Sequence, residues 1–290
     1  MASTLHALTI LALDPEELAT FWSGLLRSSR QGLVLSDVDA PVRLAFQTAD
    51  EPKVGLNQIH LHLTSNSAAQ DATVARALEL GATHLDVGQL PEEDHVVLAD
   101  PGGNEFCVIP EGNNWLEGTG FLGELAADGT REVGVFWAAA LDWPLVHDED
   151  GETAISPPDG GLKISWGGEP LNERHGRNRM YFVLVADELD AEVERLAALG
   201  ASLVERSGGE VEMADPEGNE FVVRARALVS TRSLRSLLNQ RSRSLLNRRR
   251  GGSEPAADSA PAGVVRPGRR VDAGKDAAMS GAGGGAPGEG

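Results

Sequence analysis

The stretch LADPGGNEFCVI, residues 98–109, recurs as MADPEGNEFVVR at residues 213–224. In each copy a turn rich in Pro and Gly separates two apolar segments, which predicts a β-hairpin. Three further pairs recur in the same order: ELATFWSGLL at 17–26 with EVGVFWAAAL at 132–141, EPKVGLNQIHLHL at 51–63 with EPLNERHGRNRMYFVL at 169–184, and VARALELGA at 74–82 with VERLAALGA at 193–201. The spacing between the two copies of each motif is too long for a solenoid repeat. The pattern therefore indicates a duplicated domain with a core in each copy.

The composition is typical of a two-domain globular protein, with 290 residues of which 41% are hydrophobic. No apolar run reaches the roughly 18–20 residues that cross a bilayer, and the N-terminus lacks the basic region of a signal peptide. The single cysteine, Cys107, excludes an intrachain disulfide and a CxxC metal pair. We therefore expect a cytoplasmic protein without a transmembrane segment.

The net charge of −19 is unevenly distributed. Residues 226–290 contain 12 Lys and Arg against 5 Asp and Glu, so the preceding 225 residues carry a net charge of −26. An acidic body repels nucleic acid, so we expect no nucleic-acid partner for the folded domains. The arginine-rich segment 227–290, which ends in a Gly-, Ala- and Pro-rich stretch, is predicted to be a disordered tail. Weak contact with an anionic surface is the functional interpretation of this tail, and a solvated extension is the alternative.

Each copy has the same predicted element order. A strand at Leu5–Leu13 leads to a helix that Asp14 caps and Pro15 begins. One face of this helix is apolar, formed by Leu18, Phe21, Trp22, Leu25 and Leu26. Two short strands, at 33–38 and 42–47, precede the strand QIHLHLT, a helix over 68–80 that Gly81 ends, and the hairpin. The boundaries are residues 1–112 for the first domain and 113–226 for the second, with a linker at 110–120.

These motifs resemble the vicinal oxygen chelate superfamily, in particular tandem glyoxalase-like and bleomycin-resistance-like domains. The resemblance rests on DPEELATFWSGLL, HLHL, ALELGATHL, DPGGNEFCVI and their second copies, and it spans about residues 5 to 225. It implies an α+β fold in which each domain is a pair of βαβββ modules that form a curled mixed sheet around a cleft. The superfamily includes metal-dependent lyases, isomerases and dioxygenases as well as metal-free antibiotic-binding proteins, so the fold leaves the function open.

The resemblance also implies where metal ligands stand in the enzymes: on the first strand, on the strand that opens the second module, and on the last strand. Counting from the motifs gives six positions, which are Ala7, His60 and Cys107 in the first copy and Leu122, Tyr181 and Val222 in the second. Only His60 is of the expected type, so the usual divalent metal centre is not supported and His60 is a weak metal candidate.

A metal site with unconventional ligands in the first cleft is a second interpretation. Alternation along the strands places His60 and His62 on one face, and Glu105 and Cys107 on one face of the last strand. The competing interpretation is that the two histidines are hydrogen-bonded within a polar cleft. In the second copy Arg179, Tyr181 and Trp166 are candidates for a pocket lining, although aromatic residues at such positions are most often core.

We therefore expect a protein that binds a small molecule through some of seven candidate residues: His60, His62, Glu105, Cys107, Trp166, Arg179 and Tyr181. Sequestration of a toxic compound fits that description. The alternative is a divalent-metal-dependent lyase, isomerase or dioxygenase that uses His60 with unconventional ligands. A protein-binding scaffold is a third hypothesis. The sequence leaves open the ligand, any cofactor and whether the protein is an enzyme.

Overall fold

The computed structural model describes residues 3–90 and 93–226, so the predicted tail lies outside the described residues. The elements form four βαβββ modules. The first module comprises β1 (Thr4–Ala12), α1 (Pro15–Leu26), β2 (Ser29–Gln31), β3 (Val34–Ser36) and β4 (Arg43–Thr48). The second comprises β5 (Ile59–Leu63), α2 (Gln70–Glu79), β6 (Thr83–His84), β7 (Val96–Ala99) and β8 (Glu105–Val108).

The second copy repeats this order. The third module comprises β9 (Thr119–Ala127), α3 (Arg131–Leu141), β10 (Leu145–Glu149), β11 (Glu152–Ile155) and β12 (Gly161–Trp166). The fourth comprises β13 (Met180–Ala186), α4 (Leu189–Ala198), β14 (Ser202–Ser207), β15 (Glu210–Ala214) and β16 (Glu220–Ala225). The predicted α+β fold of paired βαβββ modules in mixed sheets is confirmed, and strands β2 and β6 are elements that the sequence pattern did not reveal.

The modules combine across the two copies to form the sheets. One eight-stranded sheet has the order β14-β15-β16-β13-β1-β4-β3-β2, and the other has the order β10-β11-β12-β9-β5-β8-β7-β6. The first and fourth modules therefore share one sheet, and the second and third share the other. At the centre of each sheet the first strands of two modules pair antiparallel, β1 with β13 and β5 with β9. Each concave face is consequently built from both copies of the repeat.

Helix α1 confirms the predicted apolar face. The Asp14 side chain accepts hydrogen bonds from the backbone N–H groups of Glu16 and Glu17, which satisfies two of the donors that the first turn leaves free. All five predicted residues are buried, and the helix ends at Arg27 in the left-handed conformation. The predicted helix over 68–80 is observed at Gln70–Glu79.

The repeated turn joins the two modules of each copy. Asp100 accepts hydrogen bonds from the backbone N–H groups of Gly102 and Asn104, while the Trp22 indole N–H donates to its second oxygen at 3.0 Å. The Trp22 ring also packs edge-on against Phe106, with centroids 5.1 Å apart. Gly103, with φ +78°, supplies the left-handed turn residue. The turn and the Phe-Trp helix thus form one structural unit.

The second copy contains the same unit. Trp137 donates to Asp215 at 3.3 Å and packs against Phe221 with ring centroids 5.1 Å apart. The Phe-Trp helix and the Asp-Pro turn recur together because, in each copy, the tryptophan of the helix donates a hydrogen bond to the aspartate of the turn. No helix among the described residues is long and apolar enough to cross a membrane.

Candidate functional site

The candidate site lies where β5 and β9 meet at the middle of the second sheet. The alternation of HLHL places Leu61 and Leu63 in the core and His60 and His62 on the opposite, concave face. The parallel register of β5 with β8 sets Cys107 beside His62, and the antiparallel register with β9 sets Glu124 on its other side.

These side chains form one hydrogen-bonded group, defined here as the His-His-Cys-Glu cluster of His60, His62, Cys107 and Glu124. His62 Nδ1 lies 2.7 Å from Glu124 Oε2, and His62 Nε2 lies 2.9 Å from His60 Nε2. The Cys107 thiol interacts with both histidines, and one donor atom from each of the three residues, a nitrogen or the sulfur, lies within 4.8 Å of the other two.

The carboxylate of Glu124 is held in place by its other neighbours. Trp115 donates its indole N–H to Glu124 Oε1 at 2.8 Å, and the Ser165 hydroxyl also hydrogen-bonds with the carboxylate. The Lys163 ammonium lies 4.0 Å from the centre of the Trp115 ring. With both oxygens engaged, Glu124 is fixed against His62 and orients its ring.

The electrostatics of the group favour an ion pair. Burial alone raises the pKa of the Cys107 thiol, but His62 and His60 outweigh burial and lower its pKa to about 6. Burial lowers the pKa of His62, but Cys107 and Glu124 outweigh it and raise that pKa well above its usual value. The pKa of Glu124 is lowered, since its hydrogen bond and charge interaction with His62 outweigh burial. The cluster is therefore a thiolate, an imidazolium and a carboxylate near neutral pH.

The His-His-Cys-Glu cluster forms the floor of a pocket with a volume of about 180 Å³. That volume is well above the roughly 10–15 Å³ that one water molecule needs. Apolar walls surround the polar floor, and they include Val87, Val97, Ile109, Leu116 and Ala126. Asp128 lies at one side and accepts a hydrogen bond from the backbone N–H of Asn172 at 2.6 Å.

The corresponding face of the first sheet is filled by an apolar cluster. Ala7, Tyr181, Val183 and Val222 are all at most 4% exposed and pack together. The Tyr181 hydroxyl donates to Gln47 Oε1 at 3.1 Å, so its polar atom is satisfied within the protein. The two clefts have therefore diverged, with polar donors in one and mainly apolar side chains in the other.

The structure brings together three of the predicted site residues: His60, His62 and Cys107. Glu105 lines the same pocket but lies outside the His-His-Cys-Glu cluster, because its carboxylate pairs with Lys53 at 2.8 Å and accepts from the backbone N–H of Asn57.

The other three candidates lie elsewhere. Trp166 is buried in the core against α3, beside a void of about 20 Å³. Arg179 donates to the backbone carbonyl of Glu51, and Tyr181 belongs to the apolar cluster of the first sheet. None of the three faces the pocket above the His-His-Cys-Glu cluster. Arg179 and Tyr181 lie at the fourth module, which belongs to the other sheet. Trp166 lies on the opposite face of its strand from Ser165, which lines the pocket.

The sequence analysis did not identify Glu124, Trp115 and Ser165 as site residues. Counting back from the helix placed the first-strand position of the second copy at Leu122, but Leu122 is in the core. In the structure the counterpart of Ala7 is Glu124, since each directly follows the same register shift: Ala7 pairs with Val183 and Glu124 with His62. Trp115 belongs to the segment that the sequence predicts as a linker.

A glycine explains why Glu124 faces the pocket. The pairing of β5 with β9 shifts between Glu124 and Leu122, so Gly123 is an extra residue in its strand. A Cβ atom at Gly123 would lie 2.4 Å from the Thr64 methyl carbon, so only glycine fits without a shift. The bulge lets Leu122 enter the core while Glu124, two residues later, faces the pocket.

Comparison with known proteins identifies the family. The family model described as "Glyoxalase-like domain" matches residues 7–109 and 124–224. The chain belongs to the glyoxalase-like domain family. It is a tandem member, with two matched copies, of the vicinal oxygen chelate superfamily. A comparison with curated proteins gives no match.

Solved structures share the fold at low sequence identity. Glyoxalase I from Zea mays is 11% identical with a TM-score of 0.57, and the match covers 82% of this chain and 96% of that one. A putative dioxygenase from Bacillus subtilis is 13% identical with a TM-score of 0.52, over 77% of this chain and 85% of that one. At such identities the similarity establishes the architecture alone, so the chemistry must be argued from the side chains.

The donor set of the pocket differs from the divalent metal centre that the superfamily implies, although Glu124 occupies the first-strand ligand position and His60 the ligand position on β5. That centre needs a carboxylate ligand on the last strand, where this chain has Cys107. The carboxylate of the cluster, Glu124, already engages His62, Trp115 and Ser165. The two histidine Nε2 atoms are 2.9 Å apart, a hydrogen-bond distance, whereas two nitrogen ligands of one tetrahedral zinc ion lie about 3.3 Å apart.

Proposed function

We propose that this glyoxalase-like protein binds one small organic molecule in the pocket above the His-His-Cys-Glu cluster, without the metal centre of the enzymes. The single observation that carries the proposal is the pocket itself, in which apolar walls enclose a small group of converging polar side chains. This combination is the usual form of a ligand site, since the walls supply burial and the polar floor fixes the orientation.

The distribution of charge favours a neutral or cationic ligand. Three acidic residues, Asp94, Glu105 and Asp128, line the pocket along with Glu124, and the body of the protein carries a large negative net charge. Lys53 pairs with Glu105 and His62 with Glu124, so the Cys107 thiolate leaves the floor with a net negative charge. A free anion would be repelled on approach, whereas a neutral molecule with a hydrogen-bonding group would pair with the floor.

The proposal is tested by thermal-shift measurements with a panel of small molecules. A ligand that binds only the native state raises the melting temperature, in proportion to the logarithm of its concentration above Kd. Ala126 lines the pocket, so Ala126→Leu should abolish the shift. Ala45→Leu is the matched control, because Ala45 packs against the apolar cluster of the other sheet. An equal ligand-induced shift in Ala126→Leu would contradict the proposal.

The competing function is a metal-dependent enzyme, and the observation that favours it is the approach of His60, His62 and Cys107 donor atoms to within 4.8 Å. Metal analysis of protein purified without chelators separates the two. The proposal predicts substoichiometric metal that is unaffected by His60→Ala. One equivalent of zinc or another divalent ion, lost in His60→Ala, would instead support the metal-dependent enzyme.

A further inference from the structure

We infer that Cys107 is a nucleophile that captures small, neutral α,β-unsaturated carbonyl compounds as covalent thioether adducts in this pocket. The inference rests on the proposed function, since it names the ligand class for the same site. It concerns the one cysteine of the chain, so a thioether adduct can form at only one residue.

The geometry carries the inference. A nucleophilic side chain needs a base within hydrogen-bond reach, and the base needs a third group that orients it. Cys107 is the register partner of His62, their donor atoms lie within 4.8 Å of each other, and Glu124 holds the Nδ1 side of the same ring at 2.7 Å. Trp115 in turn fixes Glu124 at 2.8 Å. Nucleophile, base and orienting carboxylate therefore stand in the required order at the floor of a pocket.

His60 completes the hydrogen-bonding pattern. When His62 is an imidazolium, its Nδ1–H donates to Glu124 and its Nε2–H lies between His60 Nε2 and the sulfur. The His60 Nε2 atom lies 2.9 Å from His62 Nε2, and the His60 ring also interacts with the sulfur. The pair of rings thus presents positive charge to Cys107 from β5, which stabilises the thiolate.

Three strands other than β8 supply charged groups near the sulfur, and Asp94, Glu105 and Asp128 also line the pocket. Strand β5 supplies His60 and His62, β9 supplies Glu124, and β12 supplies Lys163, whose ammonium interacts electrostatically with Glu124. The His62 imidazolium lies beside the sulfur, and the Glu124 carboxylate lies on the other side of the His62 ring. The thiol pKa of about 6 agrees with this arrangement.

The chemistry requires no co-reactant. The Cys107 thiolate attacks the β-carbon of the unsaturated carbonyl compound, and a new carbon–sulfur bond forms as the carbon–carbon π bond breaks. The π electrons move toward the carbonyl group and give an enolate. His62 transfers its Nε2 proton to the α-carbon, so the product is a neutral thioether and a neutral imidazole. No leaving group is released and nothing external is oxidised or reduced.

The chemistry of the pocket also selects this class of electrophile. A thiolate is a soft nucleophile and prefers a polarised carbon–carbon double bond. The acidic lining disfavours anionic electrophiles, and the apolar walls accommodate the hydrocarbon part of a neutral one. The imidazolium serves as the proton donor that the enolate needs.

The test uses but-3-en-2-one as the probe and mass spectrometry of the intact chain as the readout. Near pH 6 we expect one adduct on Cys107, formed about tenfold faster than on the same cysteine in chain unfolded with denaturant. The rate in the folded protein should level off above about pH 7. In the unfolded chain it should continue to rise toward the usual thiol pKa near 8.5.

Two variants assign the effect to the imidazolium and its partner. His62→Gln should remove the rate advantage near pH 6, and Glu124→Gln should reduce it, whereas Glu117→Gln at an exposed position of the nearby loop should leave it unchanged. Circular dichroism establishes that each variant is folded. If His62→Gln does not fold, the inference is judged from the pH dependence of the adduct formation rate in the wild-type protein alone.

Labelling only of the unfolded chain would overturn the inference, as would a folded-state rate that follows an ordinary thiol. A stoichiometric metal ion that protects Cys107 until a chelator is added would overturn it as well. The proposed function is judged separately on wild-type protein: a non-reactive panel compound that raises the melting temperature leaves the binding function standing even when no adduct forms.

Discussion

His62 and Glu124 lie opposite each other on antiparallel strands from different copies of the repeat, with Nδ1 and Oε2 2.7 Å apart. Neither copy alone contains this pair, because each sheet joins a module of one copy to a module of the other. The duplication therefore produced a site between its two products. The other such site kept the fold but holds Ala7 and Val183 at the matching positions.

Glu124→Gln should lower the pKa of His62, because it removes the negative charge that favours the imidazolium. Since burial opposes protonation, we expect the His62 pKa to fall by more than one unit in NMR titrations of the ring protons. The loss in unfolding free energy should be about 3 kcal/mol, at the lower end of what breaking a buried ion pair costs, since glutamine still hydrogen-bonds.

The pH dependence of this loss follows from the sign of the shift. The folded pKa of His62 is raised, so the stability it contributes is fully present below about pH 6.5, the unfolded value, and is lost as pH rises through the folded pKa. The difference between wild type and Glu124→Gln should therefore shrink at alkaline pH. A difference that grows with pH would contradict the assignment of His62 as an imidazolium.

Gly123→Ala should destabilise the protein and disturb the pocket. The added Cβ would lie 2.4 Å from the Thr64 methyl carbon, so the bulge must shift. We expect a loss of about 1–3 kcal/mol, typical of overpacking, in denaturant unfolding. Gly112→Ala is the control, since a Cβ there meets open space, although its φ of +76° carries its own strain. Equal pocket binding and His62 pKa in Gly123→Ala would contradict the role of the bulge.

Trp22→Phe should cost about 2–3 kcal/mol, because it removes a hydrogen bond to the buried Asp100 carboxylate. Burial raises the pKa of Asp100 to about 6 while its hydrogen bonds, that of Trp22 among them, oppose the shift, so the variant should raise the pKa further. An acid whose folded pKa is raised destabilises the fold as pH increases from about 4 to that pKa.

The loss in Trp22→Phe should accordingly be larger at pH 8 than at pH 4, as measured by urea unfolding. Trp143→Phe, at a half-buried position, provides the comparison and should cost less than about 1 kcal/mol. A loss that does not depend on pH would show that the packing of the ring, rather than its hydrogen bond to Asp100, accounts for the effect.

Much of the fold followed from the sequence because its signals are local. The apolar face of α1, the cap at Asp14 and the hairpin around Asp100 depend on residues close in the chain, and the repeat revealed the second copy. Which modules share a sheet depends on pairing between β5 and β9, and no periodicity within either strand encodes that choice.

The candidate site was predicted in part for the same reason. The period of two along HLHL placed both histidines on one face, and the hairpin motif located Cys107. Glu124 was missed because the stretch from Glu124 to Trp137 is two residues shorter than the stretch from Ala7 to Trp22, so the count from the helix fell two residues away. The signal that could have located it is the glycine within an otherwise regular strand, which often marks a bulge.

Ala7→Glu tests whether the two clefts have diverged as the structure indicates. This substitution places a carboxylate at the counterpart of Glu124, but in an apolar cluster that holds Val183 in place of His62. An unpaired buried charge should cost about 3–5 kcal/mol in unfolding free energy or prevent folding. Thr4→Glu, at an exposed position of the same strand, should cost less than about 1 kcal/mol. Comparable stability of the two variants would contradict a closed apolar cleft.

The ionisation state of Cys107 tests the central claim most directly, namely that the His-His-Cys-Glu cluster is an ion-paired polar floor rather than a passive part of the core. The measurement is the ultraviolet absorbance of the thiolate as a function of pH, taken as the difference between wild type and Cys107→Ser. The account predicts a thiolate signal that is half-developed near pH 6 and complete by neutral pH. A signal that develops only near the usual thiol pKa of about 8.5, or above it, would contradict the account.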